Sequence, residues 1–342
     1  MRSSTSSFKA SRRKYAVCLG VFALSAALSG AASFFLWRYE AGGRNTAAVG
    51  IQMPGDDYFL SYFRYPLDHH ILYHGLDIAA ERNLEHADVL FLGNSRTMFA
   101  ASEKEFSAFF KSKGLTYYML GFGFGEADRF ATALIRKKDL HPKIVVVNAD
   151  AFFIDEMSPW AEKVVQQERW EAQKFIFESE ATFWFQRFVH KVIPHWSEFS
   201  RYQSSFYEAL VFRSRENGCW RLSWSGNSSP PVRAFTPNLI VSEVLSKTMT
   251  TAALNFKAEM DKRGCLLLLM YVPSPDNNPS EAFGVSQLLK VPLLFQPVDN
   301  LATFDSVHLD DNSRRRFAAM ILEELGTSKE FQQFCHDRTA PK

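Results

Sequence analysis

Val89-Leu90-Phe91-Leu92-Gly93-Asn94-Ser95-Arg96 is a short apolar run that ends in a turn carrying a serine. Such a run, without polar alternation, suits a strand buried on both faces in a parallel sheet. It would deliver Ser95 to the carboxyl edge of that sheet, where open α/β folds bind ligands. A serine hydroxyl is a weak nucleophile until a base takes its proton and a third group holds that base in the right tautomer. Far downstream, Asp305-Ser306-Val307-His308 carries a carboxylate and an imidazole three residues apart on one loop, in front of an amphipathic stretch. Together the two ends supply the three side chains of a serine nucleophile triad.

Working outward, the chain alternates helix and strand patterns. Ile71 to Leu84 has helical spacing. Ser102 to Glu105 forms a capping-box pattern that starts a helix through Phe106, Phe109 and Phe110, which Gly114 ends. Leu115 to Leu120 and Lys143 to Asn148 read as further strands, with a helix over Glu126 to Lys138 between them. After the interruption described next, a helix over Leu239 to Arg263, strands over Cys265 to Val272 and Val291 to Phe295, and a helix over Ser313 to Leu325 resume the rhythm. This alternation predicts βαβ units and a mainly parallel sheet.

The interruption runs from about 152 to 238. Phe152 to Trp224 holds 18 aromatics in 73 residues, including six of the seven tryptophans, without a β-strand rhythm. Aromatics at mixed spacings usually fill a helical core. Their faces also stack on sugars, and Trp and Tyr favour membrane interfaces. The segment enters just after Asp150, so it is placed to roof a site at the sheet edge.

Tyr15 to Trp37 is 23 residues without a formal charge, long enough to cross a hydrocarbon layer as a helix. Arg2, Lys9, Arg12, Arg13 and Lys14 precede it with no acidic residue, so the positive-inside rule leaves residues 1–14 in the cytoplasm and exports the remainder. Gly30-Ala31-Ala32 offers small residues for signal cleavage, but the apolar run continues through Trp37, which favours an uncleaved anchor. Residues 38–56, with Gly50, Pro54 and Gly55, suit a linker to a domain over 57–342. The whole chain has a formal charge of +2; without the five basic tail residues, 34 Lys and Arg face 37 Asp and Glu. No basic patch remains to argue for nucleic acid. Cys219, Cys265 and Cys335 allow one disulfide at most, which excludes a disulfide scaffold. His69, His70 and His74 lack the spacing of a zinc site and are expected on a helix surface.

The nucleophile after the first strand and the Asp-x-x-His before the last helix resemble the SGNH (GDSL-like) hydrolase superfamily, over roughly Ala87 to Leu325. The resemblance implies a flavodoxin-like, three-layer α/β domain and a catalytic set of Ser95, Asp305 and His308, with no cofactor or metal. It also implies an oxyanion hole. The amide of Ser95 would contribute. Gly123 or Gly125 of Tyr118 to Gly125 stands in the place of the family's Asn-x-Gly run, with Met119 where the asparagine is expected. In the place of the Gly-x-Asn-Asp block, simple alignment puts Asp150 at the side-chain donor's position. An ionised carboxylate donates no hydrogen bond, so either Asn148 substitutes, Asp150 is protonated, or the hole has fewer donors.

Within that superfamily the chain looks most like membrane-anchored bacterial members that handle O-acyl groups on cell-surface or secreted polysaccharides, often beside a membrane-bound acyl donor protein. Transfer to a sugar hydroxyl would make it an acyltransferase, and transfer to water an esterase. The alternative is a weakly active or non-catalytic binding or assembly component of an envelope polysaccharide machine.

Overall fold

In the computed structural model the described residues are 54–63, 65–123, 126–192, 209–224, 232–237 and 245–339, with 20–22 and 25. The expected anchor over 15–37 falls almost wholly outside them. Among the described residues no helix is long and apolar enough to cross a membrane.

Strands β1 (Tyr58–Phe63) and β2 (Tyr65–Pro66) lead into helices α1 (Leu67–His74) and α2 (Ile78–Glu85). The helical spacing of Ile71 to Leu84 is thus divided. Gly75 takes the left-handed conformation at φ 62° and ends α1, and the Asp77 carboxylate caps α2 by accepting from Ala80 N. Then β3 (Val89–Gly93), α3 (Ser95–Ala100), α4 (Glu103–Ser112), β4 (Tyr117–Gly121), α5 (Asp128–Lys137) and β5 (Ile144–Asn148) alternate as expected.

The interruption follows: α6 (Pro159–Gln166), α7 (Arg169–Val192), β6 (Ala209–Ser214), β7 (Trp220–Trp224) and β8 (Arg233–Phe235). Alternation resumes with α8 (Lys247–Lys262), β9 (Leu266–Met270), α9 (Ser280–Leu289), β10 (Leu293–Leu294), β11 (Leu301–Thr303), α10 (Asp311–Thr327) and α11 (Lys329–Thr339).

The main sheet runs β4-β3-β5-β9-β10, every neighbouring pair parallel. Numbered within the sheet, that is 2-1-3-4-5, the doubly wound order of flavodoxin-like domains. Leu90, Leu92, Val145 and Val147 pack into one apolar cluster, and Val89, Phe91, Ile144 and Val146 into another on the opposite face. Both faces are therefore covered by helices, which explains why these strands are apolar throughout. The order reverses between β3 and β5, and a crevice opens there beyond their carboxyl ends.

The interruption departs from the expectation of no strand rhythm. Its β6 and β7 join β1 and β2 in an antiparallel sheet of order β2-β1-β6-β7. β8 pairs antiparallel with β11. The helical part of the insertion packs on α1, with the Phe183 ring edge-on to Phe63 at 5.2 Å. Trp160 is half-buried there, stacked on Tyr65 at 5.3 Å and donating to Pro66 O at 3.3 Å, so it belongs to the core. Trp170 and Trp184 are exposed at 63% and 55%, while Trp196 lies outside the described residues.

The histidines of α1 also differ from expectation: His69, His70 and His74 are buried, not on a helix surface. Each has a polar partner that lets it be so. His74 Nε2 lies 3.0 Å from Val164 O and His70 Nε2 2.9 Å from Gln167 Oε1. Burial depresses the His70 pKa to about 4, which keeps that ring neutral. Cys219 and Cys265 are free thiols.

Candidate active site

Gly93 ends β3 at φ 153°, and a Cβ there would collide with Thr97 Oγ1, so only glycine lets the chain turn so closely into α3. Asn94 caps that helix: its side-chain oxygen accepts from Arg96 N at 3.0 Å, and its Nδ2 donates to Asp150 O at 3.3 Å. Ser95 is thus the first helical residue, and its own amide has no partner within the helix.

From the other end of the chain, the loop between β11 and α10 brings in Asp305 and His308. Phe304 N donates to His308 O at 3.0 Å, and Thr303 bridges to Leu309, closing a tight loop with Ser306 at φ 73°. A non-glycine residue in that region costs of order 1 kcal/mol or more and persists where the surroundings over-determine it. Here Asp305 does so. Its Oδ1 accepts from the amides of Val307 at 3.1 Å and His308 at 2.8 Å, and its Oδ2 lies 2.5 Å from His308 Nδ1. Arg233 of β8 donates to Ser306 Oγ at 3.0 Å, tying the loop to the insertion.

His308 Nε2 stands 2.9 Å from Ser95 Oγ. The expected three side chains therefore converge in one hydrogen-bonded chain, Ser95 to His308 to Asp305. Burial alone would push the Asp305 carboxyl up, but the His308 ring and the two amides outweigh it and hold it below its ordinary value. The carboxylate is thereby kept ionised, which fixes the proton of the neutral imidazole on Nδ1 and leaves Nε2 free to accept from Ser95. The imidazole is boxed by the Phe99 ring at 4.6 Å and the Phe304 ring at 5.7 Å.

The oxyanion residues stand differently. Asn148, fully buried at the end of β5, lies against the nucleophile turn; a Cβ built on Gly93 would be 3.0 Å from its Cβ. Its Oδ1 accepts from Val272 N at 3.2 Å, and its Nδ2 has no acceptor among the described residues. Asp150 is no donor: its carboxylate is ion-paired with Arg96, the residue after the serine. Gly123 is described, beside Trp220, and Gly125 lies outside the described residues.

A second charged group, not foreseen from sequence, sits under the Gly121 to Gly123 turn. Arg213 of β6, fully buried, donates to Met119 O at 3.1 Å, to Gly121 O, and to Asp68 Oδ2 at 2.8 Å. Asp68 also accepts from Ser61 Oγ at 2.6 Å and lies 3.0 Å from His69 Nδ1. His69 Nε2 is 3.3 Å from buried Glu126. Burial alone would depress the His69 pKa, but two carboxylates flank the ring and raise it. Two carboxylates, a guanidinium and an imidazole thus lie together in the buried interior. They hold both ends of the loop that contains Gly123, and Phe122 N in that loop donates to Gly93 O at 3.1 Å.

No protein-family model matches the chain, and no curated protein does. Among solved structures it is similar to a crystal structure from Bacteroides fragilis NCTC 9343 of a protein provisionally described as an acylhydrolase. The likeness covers 78% of this chain and 98% of that one, at 13% identity and a TM-score of 0.33. That score is too low for the likeness to assign an activity.

Proposed function

We propose that this chain is a membrane-anchored, extracytoplasmic protein of SGNH type that carries out serine-dependent O-acyl transfer to or from a cell-envelope or secreted polysaccharide. The observation that supports an acyl-transfer reading is the hydrogen-bonded chain from Ser95 through His308 to Asp305. In this reading Ser95 Oγ attacks the acyl carbonyl while His308 Nε2 takes its proton, and Asp305 holds the imidazolium. The oxyanion is met by the Ser95 amide, the Gly123 amide and Asn148 Nδ2, which has no acceptor among the described residues. His308 then returns the proton to the leaving alcohol, and an ester on Ser95 remains. Water or a sugar hydroxyl, deprotonated by the same Nε2, resolves that ester. Export, the membrane anchor and a neighbouring acyl donor protein rest on the N-terminal sequence and the family resemblance.

Asp150 favours a second reading. A carboxylate at an oxyanion position suits a domain that has given up strong catalysis and binds or assembles an envelope polysaccharide machine. Its pairing with Arg96 removes part of that objection, because the charge is neutralised and tethered. Intact-mass analysis of the protein incubated with an activated acyl ester decides between them. An adduct of one acyl group, absent in Ser95→Ala, is expected; no adduct on a folded protein would sink the enzyme reading and leave the binding one.

A further inference from the structure

Strand β8 is three residues long; Arg233 and Ala234 are exposed and Phe235 is half-buried. Burial of apolar surface does not account for a strand so short and so open. Its pairing does. All three residues pair with β11, in the register Arg233 to Thr303, Ala234 to Ala302 and Phe235 to Leu301. β11 is the last strand before the loop that carries Asp305 and His308, so Arg233 stands opposite the residue two ahead of Asp305. Ala302 meanwhile accepts from Asp310 N at 2.9 Å and donates to Ser313 Oγ at 2.8 Å. β11 is thus tied both to the insertion and to the start of α10.

We propose that Arg233 is a positioning residue for the acyl transfer: it fixes Ser306, and through Ser306 the placement of Asp305 and His308 against Ser95. The proposal rests on the reading of Ser95 as nucleophile. It gives the insertion, which supplies none of the three reacting side chains, a share in holding two of them.

Ser306 is the weak point of the loop. It stands between Asp305 and Val307 in the left-handed region, at φ 73°, where a residue with a side chain is strained. The amides that Asp305 Oδ1 accepts from lie just beyond it, on Val307 at 3.1 Å and His308 at 2.8 Å. If Ser306 relaxed toward an ordinary φ, the chain after it would turn and carry those amides off the carboxylate. His308 Nδ1 would lose its hold on Asp305 Oδ2, and Nε2 would leave the 2.9 Å contact with Ser95 Oγ. The bond from Arg233 Nη1 to Ser306 Oγ, 3.0 Å long, opposes that rotation. A contact made by an exposed guanidinium is ordinarily weak, because a long side chain must be ordered to make it. Here strand pairing already holds the Arg233 backbone, so less freedom is left to lose. The guanidinium reaches the serine and none of the reacting atoms, so its effect is on geometry.

The test compares full-length wild type, Arg233→Ala, Ser306→Ala and the double variant on a small activated ester. A misplacement of about 1 Å can cost about 10²-fold in rate. The Asp305 amide bonds and the bond from Phe304 N to His308 O still shape the loop, so the expected loss is smaller. Either single variant should lower kcat about tenfold, with KM changed by less than about twofold and the melting temperature unmoved. The double variant should lose no more than the singles, because both remove one bond. Amide hydrogen exchange at Val307 and His308, followed by mass spectrometry, should quicken in all three variants. Wild-type kcat in Arg233→Ala, losses that multiply in the double variant, or a change confined to KM overturns the proposal; multiplied losses would mean that the arginine acts through its charge. If Ser95 never accepts an acyl group in the wild type, the nucleophile reading falls and exchange alone judges the tether. Unchanged protection of Val307 and His308 in Arg233→Ala then removes it, and faster exchange leaves it standing.

Discussion

Replacing Arg213 by Met tests how the loop beside the nucleophile is held. The guanidinium is completely buried and serves the Asp68 carboxylate, two carbonyls at the end of β4, and the Phe122 and Trp220 rings at 5.0 and 5.6 Å. Methionine fills similar volume but leaves the buried Asp68 carboxylate without its guanidinium, and removing one partner of such a buried pair costs about 3 to 5 kcal/mol. For a domain of this size that is roughly a 10 °C fall in melting temperature. Acid stability carries a second signature. Burial alone would raise the Asp68 pKa, but Arg213, His69 and Ser61 outweigh it and hold it at about 2. Its folded value thus lies below the unfolded one, so its stabilisation is present above about pH 4 and is lost as pH falls toward 2. Without Arg213 the carboxyl protonates at higher pH, and the acid-unfolding midpoint should move up. Tryptophan fluorescence of the full chain against temperature and pH reads both effects. Lys257→Met, which removes an exposed i,i+4 pair with Asp261, serves as control and should change stability by no more than about 0.5 kcal/mol. A loss below about 1 kcal/mol in Arg213→Met, or an unmoved acid midpoint, refutes the reasoning.

Ser95→Ala should lower ester turnover by about 10³ to 10⁴ or more without shifting the melting temperature, as measured with a small activated ester. Asn148→Ala should lower kcat by about 10² to 10³, the effect of losing one oxyanion donor; wild-type kcat in a folded variant would discard that role. Arg96→Gln should strand the Asp150 charge beside the site and depress turnover, and Asp150→Asn in the same chain should restore most of it; failure of that rescue would show that Arg96 acts otherwise. The protein should stay with membranes after carbonate washing, and its release as a shortened soluble chain would favour signal cleavage over the anchor.

The parallel sheet was legible because each of its four longer strands is an apolar run buried on both faces, and helix boundaries followed where glycines such as Gly114 mark them. The convergence of Ser95, His308 and Asp305 was legible because they sit in two short, compositionally distinct blocks. Other features depend on partners far away in the chain. β1 looks like an aromatic stretch until β6, some 150 residues later, pairs with it. His69 looks like a surface histidine because Glu126 and Arg213, which make its burial tolerable, belong to other elements. The fate of Asp150 turned on Arg96, a pairing whose geometry needed the crevice between β3 and β5. The three-residue β11 lacks any periodic signature, whereas β10 falls inside the strand expected over Val291 to Phe295.

The pairing of β1 with β6 has a consequence for biogenesis. At synthesis rates of about 5 to 20 residues per second, β1 emerges roughly 8 to 30 s before its partner exists. For that interval the aromatic strand β1 has an open edge, the kind of surface that pairs with other chains. The domain therefore cannot close its second sheet progressively from the amino end; closure waits until residues beyond 209 have been made and delivered. A chain truncated inside the insertion should aggregate through that edge instead of forming a smaller folded unit.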